Sequence, residues 1–241
     1  MDLSILSCPQ PAPHHFHSPF LSLRFGPGPH RVELEIEYPK FDNHLPATEW
    51  PRVRGVFLIE LAPLDKMPVT IHMFLQQVRH KLWNGAAFAI NAGHILQAGP
   101  HQYNNGTYIA NHDIYMDKFI QANLHQLPFQ EYHQEYPHQQ WTLGYAGRPA
   151  GPDFYINKID NSENHGPGGQ LHHDLHEEAD PCFGKLLRGM DLIDDINKLP
   201  IDEDRHYAIK EHVLIVDARV VMEERHPRDG AFSPEDESII T

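Results

Sequence analysis

Residues 68–99 read PVTIHMFLQQVRHKLWNGAAFAINAGHILQAG, and this stretch decides the fold. Its first half repeats apolar residues at spacings of three and four, as one face of a helix does; they are Ile71, Phe74, Leu75, Val78 and Leu82. Pro68 suits a first helical turn, where its missing N–H removes no hydrogen bond. Asn84 and Gly85 predict the end of the helix, and residues 86–99 predict strands joined by a turn.

The segment before this stretch predicts two paired strands. Val32, Leu34 and Ile36 alternate with glutamates, which is typical of a half-buried strand. Residues 55–61 predict a second strand, buried on both faces. The two strands are expected to pair as an antiparallel hairpin with a long connection.

The segment after it predicts further short strands, at residues 141–146, 153–156, 183–187 and 209–221. A second helix is predicted from Gly189, because Met190, Ile193 and Ile196 recur three apart. Many short strands with two helices favour a closed β-barrel with helical caps. Composition and periodicity alone leave a β-sandwich open.

The chain is predicted to hold one domain, residues 30–222, between two tails. Residues 1–29 are rich in Pro and His and predict a flexible leader. Residues 223–241 predict a charged tail. Inside the domain, residues 100–140 form a polar insertion that is expected to be mostly irregular, with a short helix near residues 116–123.

Composition excludes several functions. The formal net charge is −14 with scattered Lys and Arg, which argues against a nucleic-acid-binding surface. Two cysteines do not make a disulfide framework. The apolar runs are too short to span a bilayer, and the sequence does not begin with a basic signal-peptide region. We expect a soluble monomer without a cofactor, in a compartment that the sequence leaves open.

Several segments, in their order along the chain, resemble the cyclophilin family of prolyl isomerases. They are Met67-Pro68-Val69-Thr70, Phe74-Leu75, Trp83-Asn84-Gly85-Ala86-Ala87-Phe88, Ile95-Leu96-Gln97-Ala98-Gly99, Thr142-Leu143-Gly144-Tyr145-Ala146, Asp153-Phe154-Tyr155-Ile156, Phe183-Gly184-Lys185-Leu186 and Gly189-Met190-Asp191. Each segment alone is a weak signal, but together they span most of the chain. The resemblance implies an eight-stranded closed antiparallel β-barrel capped by two α-helices.

The resemblance also implies a function, the cis–trans isomerisation of Xaa-Pro peptide bonds, with proline-containing peptides or protein segments as partners. It implies that Gln97 is the catalytic residue that helps to place the substrate carbonyl. The substrate-binding residues that it implies are His94, Ile95, Ala146, Gly147, Phe154 and Tyr155. Two of these residues also have a purely structural interpretation: Gln97 as a hydrogen-bonding group within the barrel, and Phe154 as a core residue.

The chain departs from the family at the residue that supplies the key donor. Cyclophilins carry Phe-His-Arg in the strand before the Gln, and this chain has Phe88-Ala89-Ile90. Counting back from Gln97 puts Ala89, or one of its neighbours Phe88 and Ile90, in the place of the Arg. None of the three could replace an arginine as a donor, so we expect weak isomerase activity. Arg148 is a less favoured substitute donor, and Asp153 adds a negative charge where the family has Gln.

Two alternatives remain open. The first is a catalytically inactive cyclophilin-like module that binds proline-containing segments. The second, more distant, is a metal-binding protein, because the chain has 20 histidines. The densest cluster is His172, His173 and His176 with Asp174, Glu177 and Glu178, and His14, His15 and His17 form another. Neither cluster has a recognised zinc spacing, and a solvated loop is the favoured interpretation.

Overall fold

The computed structural model describes residues 28–104, 107–109, 113–169 and 179–221. Several predictions therefore lie outside the described residues. They are the leader up to residue 27, the tail from residue 223 and both histidine clusters.

The strands are Arg31–Pro39 (β1), Arg52–Leu61 (β2), Ala87–Asn91 (β3), Ile95–Gly99 (β4), Gln102–Asn104 (β5), Thr107–Ile109 (β6), Thr142–Tyr145 (β7), Phe154–Asn157 (β8), Cys182–Arg188 (β9), Ile201–Asp202 (β10) and Ala208–Val221 (β11). The α-helices are Pro68–Arg79 (α1), Asp113–Gln121 (α2), Ser162–His165 (α3) and Met190–Ile196 (α4). Short 3-10 turns occur at Ala47–Glu49 and Glu203–Arg205. The two predicted capping helices are α1 and α4, α2 corresponds to the short helix predicted in the insertion, and the described residues add α3.

Eight strands close into an antiparallel barrel in the order β1-β2-β9-β7-β8-β4-β3-β11, because β11 pairs again with β1. The short β10 extends the sheet beyond β11, and β5 and β6 form a separate hairpin. The predicted closed barrel is confirmed, and the sandwich is excluded. The predicted β1–β2 hairpin is confirmed as well, with Arg31 opposite Glu60 and Pro39 opposite Arg52.

Aromatic rings fill the space between the barrel and α1. Phe74 of α1 lies with its ring centroid 4.9 Å from that of Phe183 and 5.7 Å from that of Phe154. Trp83 packs edge-on against Phe154 at 4.8 Å. All four side chains are fully buried, and burial of each such ring contributes roughly 1.5–3 kcal/mol to folding.

Helix α1 ends earlier than its apolar repeat predicts. The sequence predicts an end at Asn84 and Gly85, but the helix stops at Arg79. Lys81 takes a left-handed backbone conformation (φ 55°), which ends the helical path. Leu82 is nevertheless buried, because the turn carries it back against the core.

The described part of the insertion packs onto the barrel. Phe119 of α2 and Leu127 are fully buried in the main core, and the Gln77 amide of α1 donates to the Leu124 carbonyl (2.8 Å). The Glu131 carboxylate accepts hydrogen bonds from the backbone N–H groups of Thr70 (2.7 Å) and Val69 (3.3 Å). It thereby caps the N-terminus of α1. Helix α2 begins three residues before the predicted one.

No helix in the described ranges is long and apolar enough to cross a membrane.

Candidate functional site

The candidate site lies on the outer face of the barrel, where β4 and β8 run side by side. Successive side chains of a strand point to opposite faces. Leu96 and Phe154 point into the main core, whereas Ile95 and Tyr155 belong to a separate, smaller apolar cluster. Gln97 lies opposite Tyr155 in the β4–β8 pairing and shares their outer face.

The smaller cluster defines what we call the outer apolar patch. Its members come from β3, β4, β8 and the residues that follow β3 and β7, and they are Ile90, Ala92, Ile95, Ala146 and Tyr155. The patch brings together three of the predicted substrate-binding residues, Ile95, Ala146 and Tyr155. Phe154, predicted as a fourth, lies on the inner face among Phe74, Trp83 and Phe88.

Gln97 is half-buried at the edge of the patch, and a neighbouring carboxylate holds its amide. Its Nε2 donates to Oδ2 of Asp153 (2.9 Å), and Nε2 of His101 lies 3.1 Å from the same oxygen. The amide end of Gln97 is therefore oriented toward a negative charge. A substrate carbonyl would compete with Asp153 for this donor.

The Tyr155 phenol forms the floor of the patch and is almost inaccessible, with 1% of its surface exposed. Its hydroxyl donates to Oδ2 of Asp180 (2.7 Å). Burial, followed by the charge of Asp180, raises the pKa of Tyr155 well above its usual value. Gly144 makes room for the ring, because a Cβ at this position would meet the Tyr155 hydroxyl at 2.6 Å.

Asp180 is the centre of a polar group that we call the Asp180 cluster, formed by Asp180, Arg148, His165, His138 and the Tyr155 hydroxyl. Its carboxylate accepts from Nδ1 of His165 (2.6 Å) and from the Arg148 guanidinium. Burial would raise the pKa of Asp180, but hydrogen bonds from His165, Arg148 and Tyr155 outweigh it and keep the pKa below its usual range.

His138 comes from the insertion and is fully buried in this cluster. Its Nε2–H donates to the Asp180 carbonyl (2.9 Å), which leaves Nδ1 as an acceptor for the Asn157 amide (3.4 Å). Burial lowers the pKa of His138 to about 4, so this imidazole is neutral.

His165 lies over the patch. Its ring centroid is 4.8 Å from that of Tyr155 and 5.9 Å from that of His94, to which it is nearly parallel (17°). Burial, the neighbouring His165 and the Lys158 charge all lower the pKa of His94. Helix α3 is held in this place because Asn161, just before it, donates to the His94 carbonyl (3.0 Å).

The remaining positions of interest lie around this centre. Gly147 is exposed, and its carbonyl accepts from Arg148 (2.9 Å) and Gln130 (3.2 Å). Ala89 lies in an irregular step of the β3–β4 pairing, and 3% of its surface is exposed. Lys158 donates to Asn91 (2.8 Å).

Sequence reasoning missed Asp180, His138 and His165 as members of the site, and it gave Arg148 only as a less favoured donor. Asp180 and His165 lie in a polar segment that could not be aligned with the family, and His138 lies in the insertion. The polar character of these segments was the available signal. Among the described residues, no group of three or more His, Cys, Asp or Glu is arranged to hold a metal ion.

Comparison with known proteins assigns the family. The sequence model of the cyclophilin type peptidyl-prolyl cis-trans isomerases matches residues 49–220. Among solved structures, a cyclophilin type peptidyl-prolyl cis-trans isomerase from Cryptosporidium parvum has a TM-score of 0.53 at 16% identity, covering 80% of this chain and 98% of its own. The structure of the same protein in the presence of the dipeptide Ala-Pro has a TM-score of 0.52 at 16% identity. This match covers 80% of this chain and 99% of the other. A search of curated proteins finds no match.

The barrel order and the match over most of the chain lead to one conclusion. This protein belongs to the family of cyclophilin-type peptidyl-prolyl cis-trans isomerases. Members of the family bind proline-containing peptides.

Proposed function

We propose that this chain is a cyclophilin-type domain that binds proline-containing segments at its outer apolar patch and isomerises them only weakly. The observation that carries the proposal is the run Phe88-Ala89-Ile90, which holds no arginine where counting back from Gln97 places the family's donor. Ala89 lies on β3, and Ile90 beside it pairs with Gln97 on β4. This pairing supports a site beside Gln97 in which no arginine stands on the neighbouring strand β3.

Isomerisation of an Xaa-Pro bond needs stabilisation of the twisted amide. Rotation about an Xaa-Pro bond must overcome an amide-resonance barrier of roughly 18–20 kcal/mol. A preorganised donor lowers this barrier by stabilising the twisted state, in which charge is redistributed between carbonyl and nitrogen. Loss of one strong donor removes roughly 3–4 kcal/mol of that stabilisation, or about a factor of 10²–10³ in rate.

The cations near the site already have hydrogen-bond partners within the protein. Arg148 is paired with the buried carboxylate of Asp180, and Lys158 donates to the side-chain oxygens of Asn91 and Asn197. We therefore assign Gln97 as the donor to the substrate carbonyl. To act in this way, its amide must exchange its hydrogen bond to Asp153 for one to the substrate. Asp153 makes that exchange less favourable, because a carboxylate repels a carbonyl oxygen.

The test is NMR exchange spectroscopy on a short Xaa-Pro peptide at high protein concentration, without a coupled protease. We expect a small acceleration that is proportional to protein concentration and is lost in Gln97→Ala. Gln140→Ala is the matched control, because Gln140 is an exposed glutamine that donates to the Lys158 carbonyl and is not a member of the outer apolar patch. Acceleration that survives in Gln97→Ala would contradict the role of Gln97.

A second candidate function, a proline-binding module without any isomerase activity, is favoured by the same lack of an arginine in Phe88-Ala89-Ile90. Peptide resonances that shift with added protein, without faster exchange, would establish that alternative. An absence of both effects would overturn the proposed function.

A further inference from the structure

Polar groups, rather than apolar ones, cover the outer apolar patch in the described residues. The His165 ring lies on Tyr155, and Asp180 ties together Tyr155, His165 and Arg148. A patch on the outside of a barrel that belonged to a permanent core would be expected to have apolar side chains over it.

The cover depends on one side chain. Asp180 has 3% of its side chain exposed and accepts from three donors on three separate segments: the β7–β8 turn, β8 and α3. Its backbone also takes part, because its N–H donates to the His165 carbonyl (2.9 Å) and its carbonyl accepts from His138. Removing this carboxylate takes one hydrogen-bond partner at once from the Tyr155 hydroxyl, the His165 ring and the Arg148 guanidinium.

We propose that Asp180 acts as a latch that keeps an intact proline pocket closed, and that it determines whether a proline ring can reach Tyr155. The pocket floor is the outer apolar patch, and the lid is formed by His165 and Arg148. This inference rests on the proposed function for what enters the pocket. The closure itself is independent of it.

The charges on the latch explain why it holds. A buried carboxylate is stable only when it is paired and hydrogen-bonded, and Asp180 meets that requirement through Arg148, His165 and Tyr155. Opening the lid by moving Arg148 away leaves the carboxylate undercompensated. The closed form is therefore favoured until another group satisfies Asp180 or the carboxylate is removed.

The experiment has two independent readouts on Asp180→Asn, which keeps the size of the side chain and removes its charge. The first readout is nitration of tyrosines by tetranitromethane, mapped by mass spectrometry. We expect Tyr155 to be protected in the wild type and modified in the variant. Tyr145 is the internal control, because it is fully buried in the main core and should stay protected in both. Asp194→Asn, at an exposed aspartate on α4, is the control variant.

The second readout is the affinity for a short Xaa-Pro peptide, measured by NMR titration. If the population of the closed form exceeds that of the open form about tenfold in the wild type, the variant should bind the peptide about tenfold more tightly. Modified Tyr155 together with tighter binding supports both the latch and the proposed function. Modified Tyr155 without peptide binding supports the latch and overturns the function proposed for this pocket.

Tyr155 that stays protected in a folded Asp180→Asn protein overturns the latch, whatever the peptide does. If Asp180→Asn unfolds the protein, Tyr145 becomes modified too. His165→Ala is then the variant that tests the proposal. That variant removes the ring over Tyr155 and leaves the Asp180–Arg148 pair in place. Protection of Tyr155 in His165→Ala would also overturn the proposal.

Discussion

The inner and outer faces of the same two strands, β4 and β8, differ in the side chains that surround them. On the inner face, Leu96 and Phe154 pack into the apolar core of the barrel. On the outer face, Gln97 donates a hydrogen bond to Asp153, which directly precedes β8, and Tyr155 donates one to Asp180, which precedes β9. The difference shows that the same two strands form an apolar core on one face and join a polar hydrogen-bond network on the other.

The strongest way to break this comparison is to disturb the inner face. Phe154→Ala is expected to lower the free energy of unfolding by about 3–5 kcal/mol, because it leaves a cavity between Phe74 and Trp83. Chemical denaturation measures the effect. Phe129→Ala is the control, because 53% of that phenylalanine is exposed and its loss should change little. Equal effects of the two variants would contradict the placement of Phe154 in the core.

The outer face should make stability depend on pH through His138. Its folded-state pKa of about 4 lies below the unfolded value of about 6.5, so between these values the folded protein binds fewer protons. The stabilisation is complete above pH 6.5 and is lost as the pH falls toward 4. The loss amounts to about 3 kcal/mol.

Urea denaturation at a series of pH values checks this expectation. His138→Gln should flatten the decline between pH 6.5 and 4, since the neutral amide has no proton to gain. His44→Gln, at an exposed histidine, should leave the wild-type profile unchanged. A profile that His138→Gln does not alter would show that this imidazole is not the buried neutral group.

Restoring the absent donor sharpens the comparison on the chemical side. Ala89→Arg alone is expected to accelerate peptide exchange little, because Ala89 is buried and the pocket is closed. Combined with Asp180→Asn, it is expected to gain about 100-fold over the wild type. NMR exchange on all four members of the double-mutant cycle measures the coupling. Additive effects of the two changes would contradict a link between donor and latch.

The smallest effect concerns the insertion. Glu131→Gln should lower stability by about 1 kcal/mol, because the carboxylate caps the N-terminus of α1. Glu135→Gln, at an exposed glutamate paired with Lys66, should produce no measurable change in stability. Thermal unfolding of both variants tests whether the insertion supports the barrel. No difference between them would show that the cap contributes nothing.

The fold was largely predictable because its signals are local and periodic. The alternation of Val32, Leu34 and Ile36, and the helical repeat of residues 71–82, each report which face of an element is buried. The end of α1 was not predictable, because Lys81 has no residue-type preference for its left-handed conformation.

The site could be predicted only in part. The patch residues Ile95, Ala146 and Tyr155 followed from the family resemblance, because they lie on strands that align. Asp180 and His138 could not be found in this way, because they are far apart in sequence and meet only in the folded chain. Their polar segments carry no periodicity that would place them.

The most direct measurement of the central claim is a backbone and methyl NMR titration of the labelled protein with a short Ala-Pro peptide. The account predicts that resonances of Ile95, Gln97 and Ala146 shift, while the cis–trans exchange of the peptide is accelerated weakly at most. Shifts confined to residues elsewhere on the barrel would contradict a proline site on this outer face. Peptide exchange as fast as that catalysed by a cyclophilin with the arginine would contradict the proposal that this chain isomerises only weakly.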